Sequence, residues 1–282
     1  MTAARYFTSS ICLWLCVISI TQAQSGNLHD AAAHGDIEQV RRLLEAGTAV
    51  DARAGIRGYT PLHYAAENGH IAVMELLLAK GAGVDAHSRN NTTPLHRAAL
   101  KGHLSAVRLL STRGANVNAR NRNGEAPLHY AAAKGYGTIV AYLLSQGADV
   151  NVRTLKGYTP LHETAINGHV ALARLLVGEH ASIDARSANG VTPLHEAAFS
   201  GHTEVAALLI NEGADIGAFT RAGLTPLHMA AVNGHAAVAQ LLLSRGADVN
   251  SKDLEGLTPL RWAIDLDQAD VVSILRRHGA RE

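Results

Sequence analysis

The sequence predicts an all-α fold in which about eight helix-turn-helix units stack on one another. The main observation is a tetrapeptide, Thr-Pro-Leu-His or a close variant, that returns every 33 residues. It begins at Thr60, Thr93, Ala126, Thr159, Thr192, Thr225 and Thr258. Most copies are followed by an alanine pair, a glycine, a leucine pair and a second glycine. A fixed period of this length indicates a solenoid of repeated supersecondary units.

The unit that begins at Thr159 illustrates the local structure. Thr159 is a suitable N-cap, and Pro160 fits the first helical position, where the missing N–H costs nothing. Gly168 is suited to end this helix in the left-handed conformation. A second helix is predicted to end at Gly178, and residues 184–191 then return the chain as an extended finger. The apolar residues of the second helix lie on one face: Val170, Leu172, Leu175 and Leu176. Neither helix can bury its apolar face alone, so the units must stack.

This pattern resembles the ankyrin repeat, and the resemblance covers nearly all of residues 27–282. It implies a solenoid of helix pairs with finger hairpins. We expect one elongated domain over residues 24–282, with an atypical N-terminal cap unit at 26–58. Seven units should start near residues 59, 92, 125, 158, 191, 224 and 257, the last being a C-terminal cap. The cap unit lies 34 residues before the next unit instead of 33. We therefore expect one inserted residue in the first finger, around residues 54–58.

The first 23 residues predict a secretory signal peptide. Arg5 gives a weakly positive start, an apolar run extends over residues 11–20, and small residues precede a cleavage site after Ala23. A membrane anchor needs about 20 apolar residues, so an uncleaved anchor is the alternative rather than the expectation. Both cysteines of the chain lie in this segment. We therefore expect an exported protein, periplasmic or extracellular, whose mature form contains no cysteine.

Sixteen histidines suggest a metal site, but the repeat accounts for most of them. Six occupy the fourth position of the tetrapeptide: His63, His96, His129, His162, His195 and His228. Five others follow the glycine that ends the first helix: His70, His103, His169, His202 and His235. The resemblance implies that the motif histidine is a hydrogen-bonding residue that ties each finger to its helices and to the neighbouring unit. We expect neither a metal nor another cofactor.

Two columns of the repeat place apolar residues where a soluble array could carry charges. One column follows the alanine pair, and the other precedes the tetrapeptide. With two tyrosines between them, these columns supply the candidate partner-binding residues: Tyr59, Tyr64, Leu100, Tyr130, Tyr158, Ile166, Val191, Phe199, Leu224 and Val232. A contiguous apolar surface with aromatic anchors is typical of an interface. The alternative is that these side chains only extend the core.

A third column makes the fingers more basic than the chain as a whole, whose net charge is +1. Its arginines are Arg53, Arg120, Arg153 and Arg186. Solvated finger residues explain such a column, and the alternative is contact with a polyanion or an anionic membrane surface. Binding of that kind weakens steeply with salt. The near-neutral net charge gives no general electrostatic reason to expect a nucleic-acid partner.

No nucleotide-binding glycine loop, nucleophile elbow or HExxH helix occurs in the sequence, and we do not expect an enzyme. The resemblance implies that partners bind the finger tips and the inner helix face. We therefore expect a monomeric, rigid protein–protein interaction module that uses its concave face and finger tips. Binding of polyanions or of an anionic membrane surface through the basic fingers is the alternative function.

Overall fold

A computed structural model describes residues 28–281, and the predicted signal segment lies outside these residues. The described chain forms two compact units, each of which contains several repeats. From here on, the first unit is residues 28–122 and the second unit is residues 123–281. Both consist of repeated helix pairs, and no β-strand occurs within residues 28–281. An isolated antiparallel bridge between Ala54 and Tyr59 lies in the first finger. The predicted all-α fold is confirmed.

The helices alternate between an inner helix, which follows the tetrapeptide, and an outer helix of nine residues. In the first unit the helices are α1 (28–34), α2 (Ile37–Glu45), α3 (Pro61–Asn68), α4 (Ile71–Ala79), α5 (Pro94–Lys101) and α6 (Leu104–Thr112). The second unit begins with α7 (Pro127–Ala133), α8 (Gly137–Ser145), α9 (Pro160–Asn167), α10 (Val170–Gly178) and α11 (Pro193–Ser200). It continues with α12 (Thr203–Asn211), α13 (Pro226–Val232), α14 (Ala236–Ser244), α15 (Pro259–Asp265) and α16 (Ala269–Arg277). Among residues 28–281, no helix is long and apolar enough to cross a membrane.

The tetrapeptide sets where each inner helix begins. Thr60 has an extended backbone, with φ −89° and ψ 165°, and α3 starts at the proline that follows it. The backbone N–H of Thr60 donates to Nδ1 of His63 at 3.2 Å, which satisfies a donor outside the helix. At the other end, Gly69 adopts φ 73°. A Cβ at Gly69 would also lie only 2.7 Å from His103, so both conformation and packing require glycine there.

The inner helices pack on one another and the outer helices do the same, which gives each unit two layers. In the second unit the inner layer runs α7, α9, α11, α13, α15, and the outer layer runs α8, α10, α12, α14, α16. The motif leucines Leu128, Leu161 and Leu194 are fully buried between the layers. Alanines such as Ala165 and Ala198 are also fully buried, and their small side chains permit close helix approach. Stacking is thus confirmed within each unit, and a single array over residues 24–282 stays a prediction.

Short backbone hydrogen bonds close the fingers. In the second finger the N–H of Ser88 donates to the carbonyl of Thr92 at 2.9 Å, four residues further on. In the first finger the N–H of Ala54 donates to the carbonyl of Tyr59, which lies five residues further on. The extra residue confirms the predicted insertion. Asn91 occupies the finger position where the other units have glycine, and its φ of 56° is positive like that of Gly58 and Gly124.

Helix α10 ends at Gly178, as predicted, but its buried face differs in part from the expectation. Leu172, Ala173 and Leu176 are its buried residues, whereas the predicted Val170 and Leu175 are partly exposed. The left-handed residue after this helix is His180, with φ 65°. The equivalent residue after α8 is Gly147, with φ 85°. A histidine therefore occupies a conformation that suits glycine better.

Candidate protein-binding site

Within each compact unit, motif histidines tie one finger to the next, as the resemblance implies. Nε2 of His162 lies 3.1 Å from the carbonyl oxygen of Val191, and Nδ1 accepts the backbone N–H of Thr159 at 3.1 Å. Because Nδ1 accepts, Nε2 carries the proton and donates. The same pair of bonds recurs at His63, His129, His195 and His228. In the atypical first repeat, which lacks Thr-Pro, Nε2 of His29 bonds the carbonyl of Ala52 at 2.8 Å.

The histidines that follow the helix-ending glycine form a second set of contacts. Nε2 of His202 lies 3.0 Å from the carbonyl oxygen of Ile166, and His235 reaches the carbonyl of Phe199 at 2.9 Å. These bonds connect the start of an outer helix to the end of the preceding inner helix. His70, His103 and His169 make the same contact. The backbone carbonyls of Ile166 and Phe199, two predicted partner-binding residues, are thereby anchored to the following outer helices.

Burial keeps four of the motif histidines neutral. Desolvation lowers the pKa of His63, His162 and His195 to about 4, although the backbone carbonyl bonded to Nε2 acts in the opposite direction. The pKa of His228 is lowered for the same reason. No group of three His, Cys, Asp or Glu side chains in the described part of the chain lies close enough to hold a metal ion. His63, His162, His195 and His228 thus act as neutral hydrogen-bonding residues.

The predicted partner-binding residues differ in how far they reach solvent. Tyr59 is buried at 6% exposure, stacked on His63 with ring centroids 5.0 Å apart. The guanidinium of Arg97 also lies 5.2 Å from the Tyr59 ring centroid. Because Tyr59 is buried by these neighbours, it does not offer an exposed anchor to a partner. Phe199 is exposed, at 48%. The others are half-buried: Tyr64, Leu100, Tyr130, Tyr158, Ile166, Val191, Leu224 and Val232.

In the first unit, the inner face carries a neutralised acid. The carboxylate of Glu67 forms a salt bridge with Arg97, and Nζ of Lys101 lies 3.7 Å from the same carboxylate. Nε of Arg97 donates to Glu67 at 3.1 Å, so the pair is held by more than one bond. Tyr64 packs edge-on against Tyr59, with centroids 5.8 Å apart. This part of the face has aromatic surface with balanced charge.

In the second unit, the inner face contains a recess that we call the α9 recess. Its volume is about 550 Å³, and its walls are formed by Glu125, Leu155, Lys156, Tyr158, Glu163 and Ile166. Two of these, Tyr158 and Ile166, are predicted partner-binding residues that the fold brings together. Leu155, at the finger tip, is 72% exposed and was not among the predicted residues. The recess therefore combines apolar surface with two carboxylates and one lysine.

Tyrosine–glutamate pairs border the α9 recess. The hydroxyl of Tyr130 donates to Glu125 at 2.8 Å, and that of Tyr158 donates to Glu196 at 2.6 Å. Burial, and to a smaller extent the negative charges of Glu125 and Glu196, raise the pKa of Glu163 to about 7. Burial also raises the pKa of Glu196, against the effect of the Tyr158 hydrogen bond. Burial first, and then Glu196, raise the pKa of the Tyr158 hydroxyl, which keeps it a proton donor.

Glu163 and Glu196 lie outside the columns that predict the partner-binding surface, although the sequence contains a signal for them. The residue directly after the tetrapeptide reads Tyr64, Arg97, Tyr130, Glu163, Glu196, Met229 and Trp262. Its tyrosines, Tyr64 and Tyr130, are among the predicted partner-binding residues, and its glutamates are not. Since the inner helices pack side by side, residues of one column lie on neighbouring helices. This column therefore predicts that Glu163 lies beside Glu196.

Two of the finger arginines, Arg153 and Arg186, form hydrogen bonds within the fold. A guanidinium nitrogen of Arg153 donates to the carbonyl of Arg186, and Arg186 does the same to the carbonyl of Phe219. The Arg186 guanidinium also lies 5.8 Å from the Phe219 ring centroid. These two arginines connect consecutive fingers while remaining exposed. Arg53 and Arg120 are exposed on the fingers of the first unit.

The repeated helix pairs and the histidine bonds between fingers define a helical-repeat scaffold. A family model described as ankyrin repeats in three copies matches residues 1–88, 28–121, 83–154, 128–220 and 217–281. The chain therefore belongs to the ankyrin-repeat family, whose members generally mediate protein–protein interaction and are typically not enzymes. No curated protein matches the chain significantly.

Proposed function

We propose that this protein is an exported, rigid binding module that captures another protein on the inner face of its second unit. The observation that carries the proposal is the exposed Phe199 beside the half-buried Ile166, on a backbone fixed by His202 and His235. An exposed aromatic next to a recess is typical of an interface anchor. Because the backbone is already fixed, little ordering free energy is lost on binding.

The proposal includes no catalytic centre and no cofactor, and it treats the protein as a monomer. Export is supported by the sequence of residues 1–23 alone. Mass spectrometry of the amino terminus of protein from its native source tests it. A mature chain that begins near residue 24 is the expected result, and a chain that retains residue 1 would contradict cleavage.

Affinity capture from native extracts tests partner binding. The variants Phe199→Glu and Ile166→Glu should abolish capture of the partner while the circular-dichroism melt stays nearly unchanged. Ala171→Glu is the matched control, because it adds the same charge at an exposed position of the outer helix α10. Capture that survives both inner-face substitutions, or a melt that collapses in both, would contradict the proposed binding surface.

The alternative, binding of polyanions or an anionic membrane surface, rests on the basic fingers. It predicts an affinity for heparin that falls steeply between low and high salt and that is lost on reversing Arg120, Arg153 and Arg186. The carbonyl contacts of Arg153 and Arg186 favour a structural role for these two side chains instead. Heparin binding that does not respond to salt would exclude the alternative.

A further inference from the structure

The α9 recess holds an acid that the fold leaves without a counter-charge. No hydrogen bond or salt bridge within residues 28–281 involves the side-chain carboxylate of Glu163. Lys156 also lines the recess, but no salt bridge joins it to Glu163 in the described part of the chain. The first unit treats Glu67 differently, because Arg97 and Lys101 neutralise that carboxylate. An inner-face glutamate is thus paired with basic side chains in the first unit, whereas Glu163 has no such partner within residues 28–281.

The walls around this carboxylate suit a long aliphatic stem. Tyr158 and Ile166 are half-buried, and Leu155 presents apolar surface at the mouth. A lysine or arginine side chain has an apolar stem and a cationic head, which matches walls of this kind with carboxylates beyond them. The ring of Tyr158 adds a face that attracts a cation. A small inorganic cation would use the carboxylates and leave the apolar walls without a function.

We propose that the α9 recess receives a lysine or arginine side chain of a partner protein, with its cationic head at Glu163 and Glu125. The inference rests on the proposed protein-binding function and names the residue type that the partner inserts. The apolar surface continues from Ile166 to Phe199 on the neighbouring helix α11, so the partner segment extends beyond the recess. This continuity favours a protein segment over a free polyamine.

A basic side chain would also relieve an unfavourable electrostatic free energy of the charged Glu163 carboxylate in the recess. Like charges at Glu125 and Glu196 oppose the charged form of Glu163, and burial adds to the cost. A cation bound between Glu125 and Glu163 relieves that repulsion and restores the charged form. Hydrogen bonds to charged groups in a partly desolvated site are stronger than neutral ones. The free protein thus carries an electrostatic cost that a basic side chain removes.

A library of random peptides displayed on phage tests the proposal, with residues 24–282 immobilised as the target. We expect the enriched peptides to share a lysine or arginine at one fixed position next to apolar residues. The synthetic form of an enriched peptide should lose about tenfold or more in affinity with Glu163→Gln. Glu204→Gln, on the exposed side of α12, is the matched control and should leave the affinity unchanged.

The outcomes separate the inference from the function on which it rests. Enriched peptides that lack a common basic residue, and whose binding responds to Phe199→Glu but not to Glu163→Gln, would overturn the inference and leave the binding surface standing. Failure to enrich any peptide whose binding responds to Phe199→Glu would contradict the binding surface itself. Spermidine that binds as tightly as the enriched peptide, with the same response to Glu163→Gln, would overturn the choice of a protein segment.

Discussion

Nε2 of His162 donates to the carbonyl oxygen of Val191, 29 residues further along the chain and 3.1 Å away. The other ring nitrogen accepts the N–H of Thr159, so one imidazole joins the start of its own helix to the next finger. Water cannot replace these bonds, because His162 is fully buried. The motif histidine therefore makes neighbouring repeats depend on each other for their stability.

Replacing this histidine should be costly. His162→Ala leaves the Val191 carbonyl and the Thr159 N–H without their partner and opens a cavity. We expect the free energy of unfolding to fall by about 2–4 kcal/mol, measured by urea denaturation. His87→Ala, at an exposed finger position, should change it by less than about 0.5 kcal/mol. Equal losses in the two variants would show that the buried bonds do not stabilise the fold.

Acid should destabilise the protein through three buried motif histidines, His63, His162 and His195. Their pKa is about 4 in the folded state and about 6.5 in an unfolded chain. Above pH 6.5 neither state binds the proton, whereas below it only the unfolded state does. Each such histidine therefore removes about 1.4 kcal/mol of stability per pH unit as the pH falls from about 6.5 towards about 4.

Two carboxylates oppose this trend. Glu163 and Glu196 have raised pKa values, so their protonation on acidification favours the folded state. The histidines with lowered pKa values outnumber them, and we expect the melting temperature at about pH 5 to lie below that at about pH 7. Thermal melts followed by circular dichroism measure the difference. An equal or higher melting temperature at the lower pH would contradict the buried neutral state of the histidines.

Glycine at position 180 should stabilise the fold. His180 has φ 65°, a conformation that costs an ordinary residue about 1 kcal/mol, and its side chain is exposed. His180→Gly should raise the free energy of unfolding by about 0.5–1 kcal/mol in urea denaturation. His87→Gly is the matched control, because His87 is exposed without a positive φ, and it should give no gain. A gain in both variants would assign the effect to loss of an exposed histidine instead.

Removing the charge of Glu163 should also stabilise the free protein at alkaline pH. Its pKa is raised to about 7 by burial and by Glu125 and Glu196, so the charged form is disfavoured in the folded state. The cost grows as the pH rises from about 4.5 to about 7 and is complete above that. Glu163→Gln should therefore raise the free energy of unfolding by about 1–3 kcal/mol at about pH 8, and by much less at about pH 5.

The control for this prediction is Glu204→Gln, which removes the same charge from an exposed position. Its effect on the urea midpoint should be small at both pH values. A loss of stability for Glu163→Gln at about pH 8 would mean that the carboxylate has a stabilising partner in solution. That result would also weaken the case for a cationic side chain in the α9 recess.

Much of the fold follows from the sequence because its determinants are local. Thr-Pro starts an inner helix at Pro61, glycine at 69 ends it, and Asn91 takes the positive φ that its column requires. The site was less accessible to prediction. Tyr59 belongs to the same column as Tyr158, yet it is buried because His63, Tyr64 and Arg97 surround it. The column gives the position of a residue in the repeat. Its burial also depends on the neighbouring side chains, which differ from one repeat to the next.

The sequence by itself determined the repeat and the helix pairs, since these depend on contacts that recur at a constant spacing. The resemblance to the ankyrin repeat implied the role of the motif histidines. Only the tertiary structure decided which inner-face acids are paired. Glu67 is neutralised by Arg97 and Lys101, whereas Glu163 is left beside Glu125 and Glu196 in a recess with Tyr158 and Ile166. The physical reason is that the energy of a charge depends on its burial and on every charge around it. Those neighbours come from different repeats and are brought together only when the helices pack.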